Sequence, residues 1–311
     1  TTDLYRRLNL PQTEFVGYET CGSDSHVVAI IRDGHRVARA SSGEQVEVVL
    51  ADTPFYAEAG GQVGDTGELR SAGARVVVTD TVKPVPEVIA HRGWLAKGGI
   101  AEGDEVSAVV DQERRLDIAC NHTATHLLHR ALRQVLGEHA AQSGSLVSPD
   151  RLRFDFGHLS PLSAGELRRV EAIVNDQIRA NLPVTVRESS YDQAVQEGAI
   201  ALFGEKYGDR VRVVTVTGFS SELCGGTHVK ATGQIGSFLI VSESSVGAGL
   251  RRIEAVTGRG AGAYVRERLE ALESIAHLLS AKPGEELQRA KVLLEQVAEQ
   301  RKSIVRLQRQ L

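Results

Sequence analysis

Two short motifs about a hundred residues apart constrain this chain more than any other feature. His122-Thr-Ala-Thr-His126 and Cys224-Gly-Gly-Thr-His228 together offer three imidazoles and a thiol. The first pair sits in an apolar-periodic run through Leu116, Ala119, Leu132 and Leu136. Residues four apart in such a run lie on one face of a helix. That pair alone also fits plain core packing. The second motif is what points to a metal, because its double glycine lets a tight turn aim thiol and imidazole at one point. A nitrogen-and-sulfur donor set of this kind suits zinc. His122, His126, Cys224 and His228 are therefore the expected ligands of one zinc ion. A zinc-protease helix reads H-E-x-x-H, with the glutamate as general base. Thr123 stands in that place here, which excludes the protease reading.

The pattern along the chain predicts a mixed α+β fold. Residues 14 to 113 read as β-rich. Val27 to Ala38 is a hairpin signal turning at Asp33-Gly34, and further strands are expected at 46–50 and 74–79. A small barrel or sandwich accounts for them. The period changes at Asp111, which can cap a long helix that carries both histidines and stops at Gly137. Leu152, Phe154 and Phe156 alternate with polar residues as in a half-buried strand, and Ser163-Ala-Gly-Glu166 is a capping box. Strands are expected at 184–187, 211–216 and 238–243. The chain is thus divided into a small β-barrel-like subdomain (1–113), an α+β zinc-containing core (114–258) and an α-helical, coiled-coil-like segment (259–311). In the last, apolar residues recur at Val265, Leu269, Leu272, Ile275 and Leu279, and after Pro283-Gly284 at Ala290, Val297, Ile304 and Leu311. The favoured arrangement is a helical hairpin packed on itself, with self-association through these helices as the alternative.

Composition narrows the class. The 311 residues carry a net charge of −4, so binding to nucleic acid must rest on local patches. Candidate patches are Arg114-Arg115, Arg151 with Arg153, Arg168-Arg169 and Arg251-Arg252, each of which alone is an ordinary solvated pair. No apolar run is long enough for a membrane span, and no secretory signal opens the sequence. Three scattered cysteines, Cys21, Cys120 and Cys224, suit a reducing, cytoplasmic setting. The Thr-Thr start and the charged helical end lead us to expect a piece of a longer protein.

Several further runs share one resemblance. Thr53-Pro-Phe-Tyr-Ala-Glu-Ala-Gly-Gly-Gln62 followed by Val63-Gly-Asp-Thr-Gly67, then Gln142–Val147, Leu202–Gly208, Glu222–Val229 and Arg251–Gly258, resemble the editing region of the alanyl-tRNA synthetase family in order and spacing. Threonyl-tRNA synthetases carry a related zinc-site pattern without the first of these segments. The resemblance implies an editing module with part of a helical connector, lacking the aminoacylation domain. The implied activity is an aminoacyl-tRNA hydrolase that removes serine or glycine from mischarged tRNA(Ala), with the tRNA acceptor end as partner. Alanine differs from serine by one hydroxyl, a difference worth only about 1–3 kcal/mol in a pocket that accepts both. A second site that hydrogen-bonds the hydroxyl reverses the selectivity.

The resemblance implies that Thr125, Gln142 and Ser145 line that pocket. Glu58 is either a substrate contact or the structural partner of an arginine. Gly60 and Gly61 are expected to let backbone approach the ester, Gln62 to offer its amide to the terminal adenosine, and Arg251 and Arg252 to meet phosphates. Zinc bound by four protein ligands organises the pocket; with one ligand loose it can activate water. The general base is unassigned. Other readings are a tRNA-binding module with a structural zinc and no turnover, a free-standing alanyl-tRNA editing protein, and an oligomerisation scaffold.

Overall fold

The computed structural model of the chain describes residues 2–201 and 208–310. Most of the Leu202–Gly208 run thus lies outside the described residues. The chain divides into two compact units, 1–259 and 260–311.

The first unit begins with a closed antiparallel barrel. Its strands are β1 (Gly22–Arg32), β2 (Gln45–Leu50), β3 (Gly67–Arg70), β4 (Arg75–Val85), β5 (Val88–Lys97) and β6 (Glu105–Val110). They run in the order β6-β3-β4-β5-β2-β1, and β6 pairs back onto β1 to close the ring. Closure removes the exposed strand edges that a sheet this small would otherwise carry. The expected hairpin is present, with Asp33 (φ 50°) and Gly34 (φ 73°) in the left-handed conformations of its tight turn. Alternate residues fill the interior, among them Val46, Val48 and Leu50 from β2 and Val106, Ala108 and Val110 from β6.

Helix α1 (Gln112–Leu136) follows directly. Asp111 accepts a hydrogen bond from the Arg114 amide at its start, and Gly137 (φ 111°) ends it. A four-stranded antiparallel sheet packs beside it, built from β7 (Gln142–Val147), β8 (Leu152–Gly157), β12 (Phe238–Gly247) and β13 (Leu250–Thr257) in the order β7-β8-β13-β12. Helix α2 (Ala164–Arg179), opened by the Ser163–Glu166 capping box, joins the same core. A three-stranded sheet, β9 (Val184–Ser190), β10 (Arg210–Val216) and β11 (Ser220–Leu223), carries the second motif at its end.

The periodicity of α1 predicts one apolar face, but the helix is buried all round from Ile118 to His129. Its apolar side meets Phe154, Val170 and Ile253. Its other side presents Asn121, His122, Thr123, Thr125, His126 and His129, all buried. Buried polar groups require partners, and those partners define the site described below.

The barrel loop between β2 and β3 reaches the core. Val147 N donates to Gly61 O at 2.7 Å and Val63 N to Val147 O at 3.1 Å. Arg115, in the first turn of α1, holds the loop by an ion pair to the fully buried Asp65, with further donations to Gly17 O (2.8 Å) and Pro54 O (2.7 Å). Arg115 is thus a structural residue and not a surface cation.

In the second unit, α3 (Gly258–Leu278) and α4 (Glu286–Gln308) are separated by the Pro283-Gly284 break. The expected hairpin packed on itself is not formed. The stripe through Val265, Leu269, Leu272 and Ile275 is exposed, as are Leu287, Leu294, Val297 and Ile304. The seam weakens where Arg301 and Gln308 replace apolar residues, so the two helices have too little apolar surface in register to bury. Among the described residues no helix is long and apolar enough to cross a membrane.

Asp65→Ala leaves the Arg115 guanidinium buried without its counter-charge. Loss of about 3–5 kcal/mol is expected, measured as a shift in the urea unfolding curve of the parent and variant chains.

Candidate metal centre and adjoining pocket

Helix α1 stacks the His122 and His126 rings, with centroids 5.4 Å apart and planes within 12°. The turn after β11 brings Cys224 and His228 against them. Cys224 Sγ lies 3.3 Å from His122 Nε2 and 3.4 Å from His228 Nε2. One ligand atom from each of the four residues lies within 4.8 Å of all the others. Tetrahedral zinc, with bonds of about 2.0–2.3 Å, places its ligand atoms roughly 3.3–3.8 Å apart. The double glycine has a concrete role here. A Cβ on Gly226 would fall 2.1 Å from His122 Cε1, so the turn closes on the ring only because that side chain is absent.

Each imidazole has its Nδ1 engaged from behind. His122 Nδ1 meets Gln62 Oε1 at 2.6 Å, His126 Nδ1 meets Glu222 Oε2 at 2.7 Å, and His228 Nδ1 meets Thr123 Oγ1 at 3.2 Å. A ring that donates from Nδ1 keeps its Nε2 lone pair for a metal. The Nε2 of His126 is buried and has no hydrogen-bond partner among the described residues. An ion at the centre of the cluster satisfies this orphaned atom, so the residues fit one metal.

Two of the four groups are held in their ligating forms. Burial pushes His228 down to about 3, which keeps it neutral and able to ligate. Burial works against ionisation of Cys224, but the neighbouring His122 and His228 outweigh it and hold the thiol well below its ordinary range. His126 differs: burial opposes charge on it and on Glu222, yet their contact raises the imidazole and lowers the carboxyl, so an ion at His126 Nε2 has to displace a proton that Glu222 favours.

Gln62 departs from expectation. It is fully buried. Its Oε1 also accepts from Thr227 N at 3.0 Å, and its Nε2 donates to Thr227 Oγ1 at 2.9 Å. The amide is engaged inside the protein and is not presented to a ligand. Thr123, which replaces the protease glutamate, donates to Ala119 O at 2.9 Å and accepts from Val229 N at 3.2 Å.

A pocket of about 370 Å³ opens beside the cluster, with His122, His126 and Cys224 in its wall. Thr125, Gln142, Ser145 and Gly60 line it, together with Tyr56 and Arg212. The Thr125 hydroxyl donates to Asn121 O at 2.8 Å, and Gln142 Nε2 donates to Ser145 Oγ at 3.1 Å. Gly61 packs under the pocket, where a Cβ would meet Ser145 O at 2.5 Å. Glu58 is exposed and has no arginine partner among the described residues, against the structural role considered for it. Arg251 and Arg252 lie on β13. Arg251, itself buried, is paired with Glu243, and Arg252 makes two hydrogen bonds to Asp155 at 2.7 and 2.8 Å.

Sequence reasoning missed three residues. Arg212 stacks 3.5 Å over the Tyr18 ring and donates to Gly226 O. Asp65 and Glu222 both stand inside recognised runs, Val63–Gly67 and Glu222–Val229. Their position in those runs was the available signal.

Two family profiles match the chain. "tRNA synthetases class II (A)" covers residues 2–114, and "Threonyl and Alanyl tRNA synthetase second additional domain" covers residues 211–254, which hold β10, β11 and the Cys224–His228 turn. The barrel thus matches the class II aminoacyl-tRNA synthetases, and the Cys224–His228 turn matches a domain of the threonyl and alanyl enzymes. Curated relatives narrow this further. The chain is 50% identical over 295 residues to the alanine–tRNA ligase of Desulforamulus reducens, 94% of this chain and 34% of that protein. It is 50% identical over 302 residues to that of Dehalococcoides mccartyi, 96% of this chain and 35% of that protein. It is 48% identical over 324 aligned positions to that of a Roseiflexus species, 97% of this chain and 36% of that protein. The chain belongs to the alanyl-tRNA synthetase family and spans about a third of the length of the curated relatives it matches.

Gly226→Ala drives a methyl group into the His122 ring. The expected outcome is a loss of bound metal together with a lower melting temperature, read by metal analysis and calorimetry on the same preparation.

Proposed function

We propose that this region hydrolyses the ester linking serine or glycine to the acceptor end of tRNA(Ala), with zinc as its metal. The observation that carries the reading is the pocket in which Thr125, Gln142 and Ser145 stand beside His122, His126 and Cys224. Its volume lies within the usual range for small-ligand sites. Because the Thr125 proton is donated to Asn121 O, the hydroxyl faces the pocket as an acceptor. A serine hydroxyl donates to it. An alanine side chain leaves it dry and unpaired, at a cost of about 1–3 kcal/mol. Gly60 leaves room for a ligand close to the backbone. Arg210 and Arg212 in the same wall are the cations best placed for acceptor-end phosphates. Zinc held by the four ligands supplies a fixed positive centre beside the ester.

A second reading draws support from the ligand set. Four protein donors complete a tetrahedral shell, which is the pattern of structural zinc. In that case the region binds tRNA without turnover. Deacylation of Ser-tRNA(Ala) and Ala-tRNA(Ala) separates the two. The parent chain should release serine and spare alanine, and Cys224→Ala should lose the activity. Thr125→Val, which keeps shape and removes the acceptor, should lower kcat/KM for the serine ester by roughly 10–100-fold. A folded, metal-loaded parent that leaves both esters intact favours the binding module.

A further inference from the structure

Glu222 and His129 have no place in the reaction as described, yet both are buried to within 2% of full enclosure. Glu222 sits on β11 with its carboxylate against α1. One oxygen meets His126 Nδ1 at 2.7 Å and the other meets His129 Nδ1 at 3.0 Å. The two histidines are three residues apart and so stand on successive turns of one helix face. The single carboxylate bridges them. His129 has no other polar contact: its Nε2 is buried and unpartnered among the described residues, and its ring packs 5.4 Å from Phe154. A histidine kept in an apolar core with one nitrogen unsatisfied is costly unless its other nitrogen does something a hydrocarbon cannot. What His129 does is donate to the far oxygen of Glu222, which leaves the near oxygen held against His126.

We propose that His129 and Glu222 form a positioning pair for the metal centre. The carboxylate, anchored at one oxygen by His129, fixes His126 with Nε2 aimed at the ion and thereby sets how tightly the ion is held. The pair touches neither the pocket nor the reacting ester. His122 and His228 are held by neutral oxygens, from Gln62 and Thr123. Among the described residues only His126 of the three is backed by a carboxylate, and carboxylates behind ligating histidines strengthen metal binding. The inference rests on the metal-binding reading of the cluster and extends it to residues outside the ligand set.

The test is binding of Zn2+ by chelator competition, and of Co2+ by its visible and thiolate charge-transfer bands, to the full chain and three variants. Glu222→Gln places an amide N–H against one imidazole N–H and should weaken both ions roughly 10–100-fold. His129→Leu, which keeps the packing, should weaken them in the same direction by a smaller factor. The double variant should be no weaker than Glu222→Gln alone, because groups that act as a unit are not additive. Affinity within twofold of the parent for a folded Glu222→Gln chain overturns the proposal. So do fully additive losses, or a fall in apo-protein melting temperature with unchanged affinity. If Glu222→Gln fails to fold, His129→Leu decides: unchanged affinity overturns the pairing. A parent chain that binds neither ion overturns the metal reading itself, and the proposal with it.

Discussion

The structure depends on three imidazoles that must be held from behind before they can converge in front. His122, His126 and His228 each engage Nδ1 with an oxygen, and those oxygens come from a barrel loop (Gln62), from β11 (Glu222) and from α1 itself (Thr123). An imidazole free to rotate or to change tautomer presents its metal-binding lone pair only part of the time. Fixing three of them requires the barrel, the long helix and the three-stranded sheet to be in register. The helix is buried on all sides for that reason: one side closes the hydrophobic core, and the other is walled by the groups that orient its polar residues.

The barrel therefore acts as a support for the site more than as a separate module. Its β2–β3 loop crosses to β7, pins Gly61 under Ser145 and delivers Gln62 to His122 and Thr227 at once. The buried Arg115–Asp65 pair anchors that loop to the start of α1. Glycines in the loop and the turn serve close approach, since at Gly61 and Gly226 a single Cβ would collide with the pocket floor or a ligand ring. The pocket inherits its shape from these contacts. Its polar lining is already partly paired, through Thr125 to Asn121 O and Gln142 to Ser145.

Much of this was legible in the sequence. The helix caps at Asp111 and Gly137, the Asp33-Gly34 hairpin, the alternating strand at 152–157 and each half of the His122/His126 and Cys224/His228 set follow from local rules, because each depends on residues within a turn or two of one another. The pocket-lining places of Thr125, Gln142 and Ser145 were legible only through the family resemblance. The role of Gln62 was misread. A side-chain amide in a glycine-rich loop looks available to a ligand until tertiary contacts show that both its ends are engaged. The helical tail was misjudged for the opposite reason: its stripes look able to pair, but they stay exposed.

The sequence by itself determined which side chains could hold a metal, where the long helix between Asp111 and Gly137 and the helix opened by Ser163 begin, and the family to which the chain belongs. Those properties are set by spacing and by residue chemistry at short range. Only the tertiary structure decided what stands behind each ligand. Gln62 is 60 residues from His122, Glu222 is 96 from His126, and Thr123 is 105 from His228. Hydrogen bonds across such separations leave no periodic trace in the sequence, because folding, and not spacing, brings the partners together.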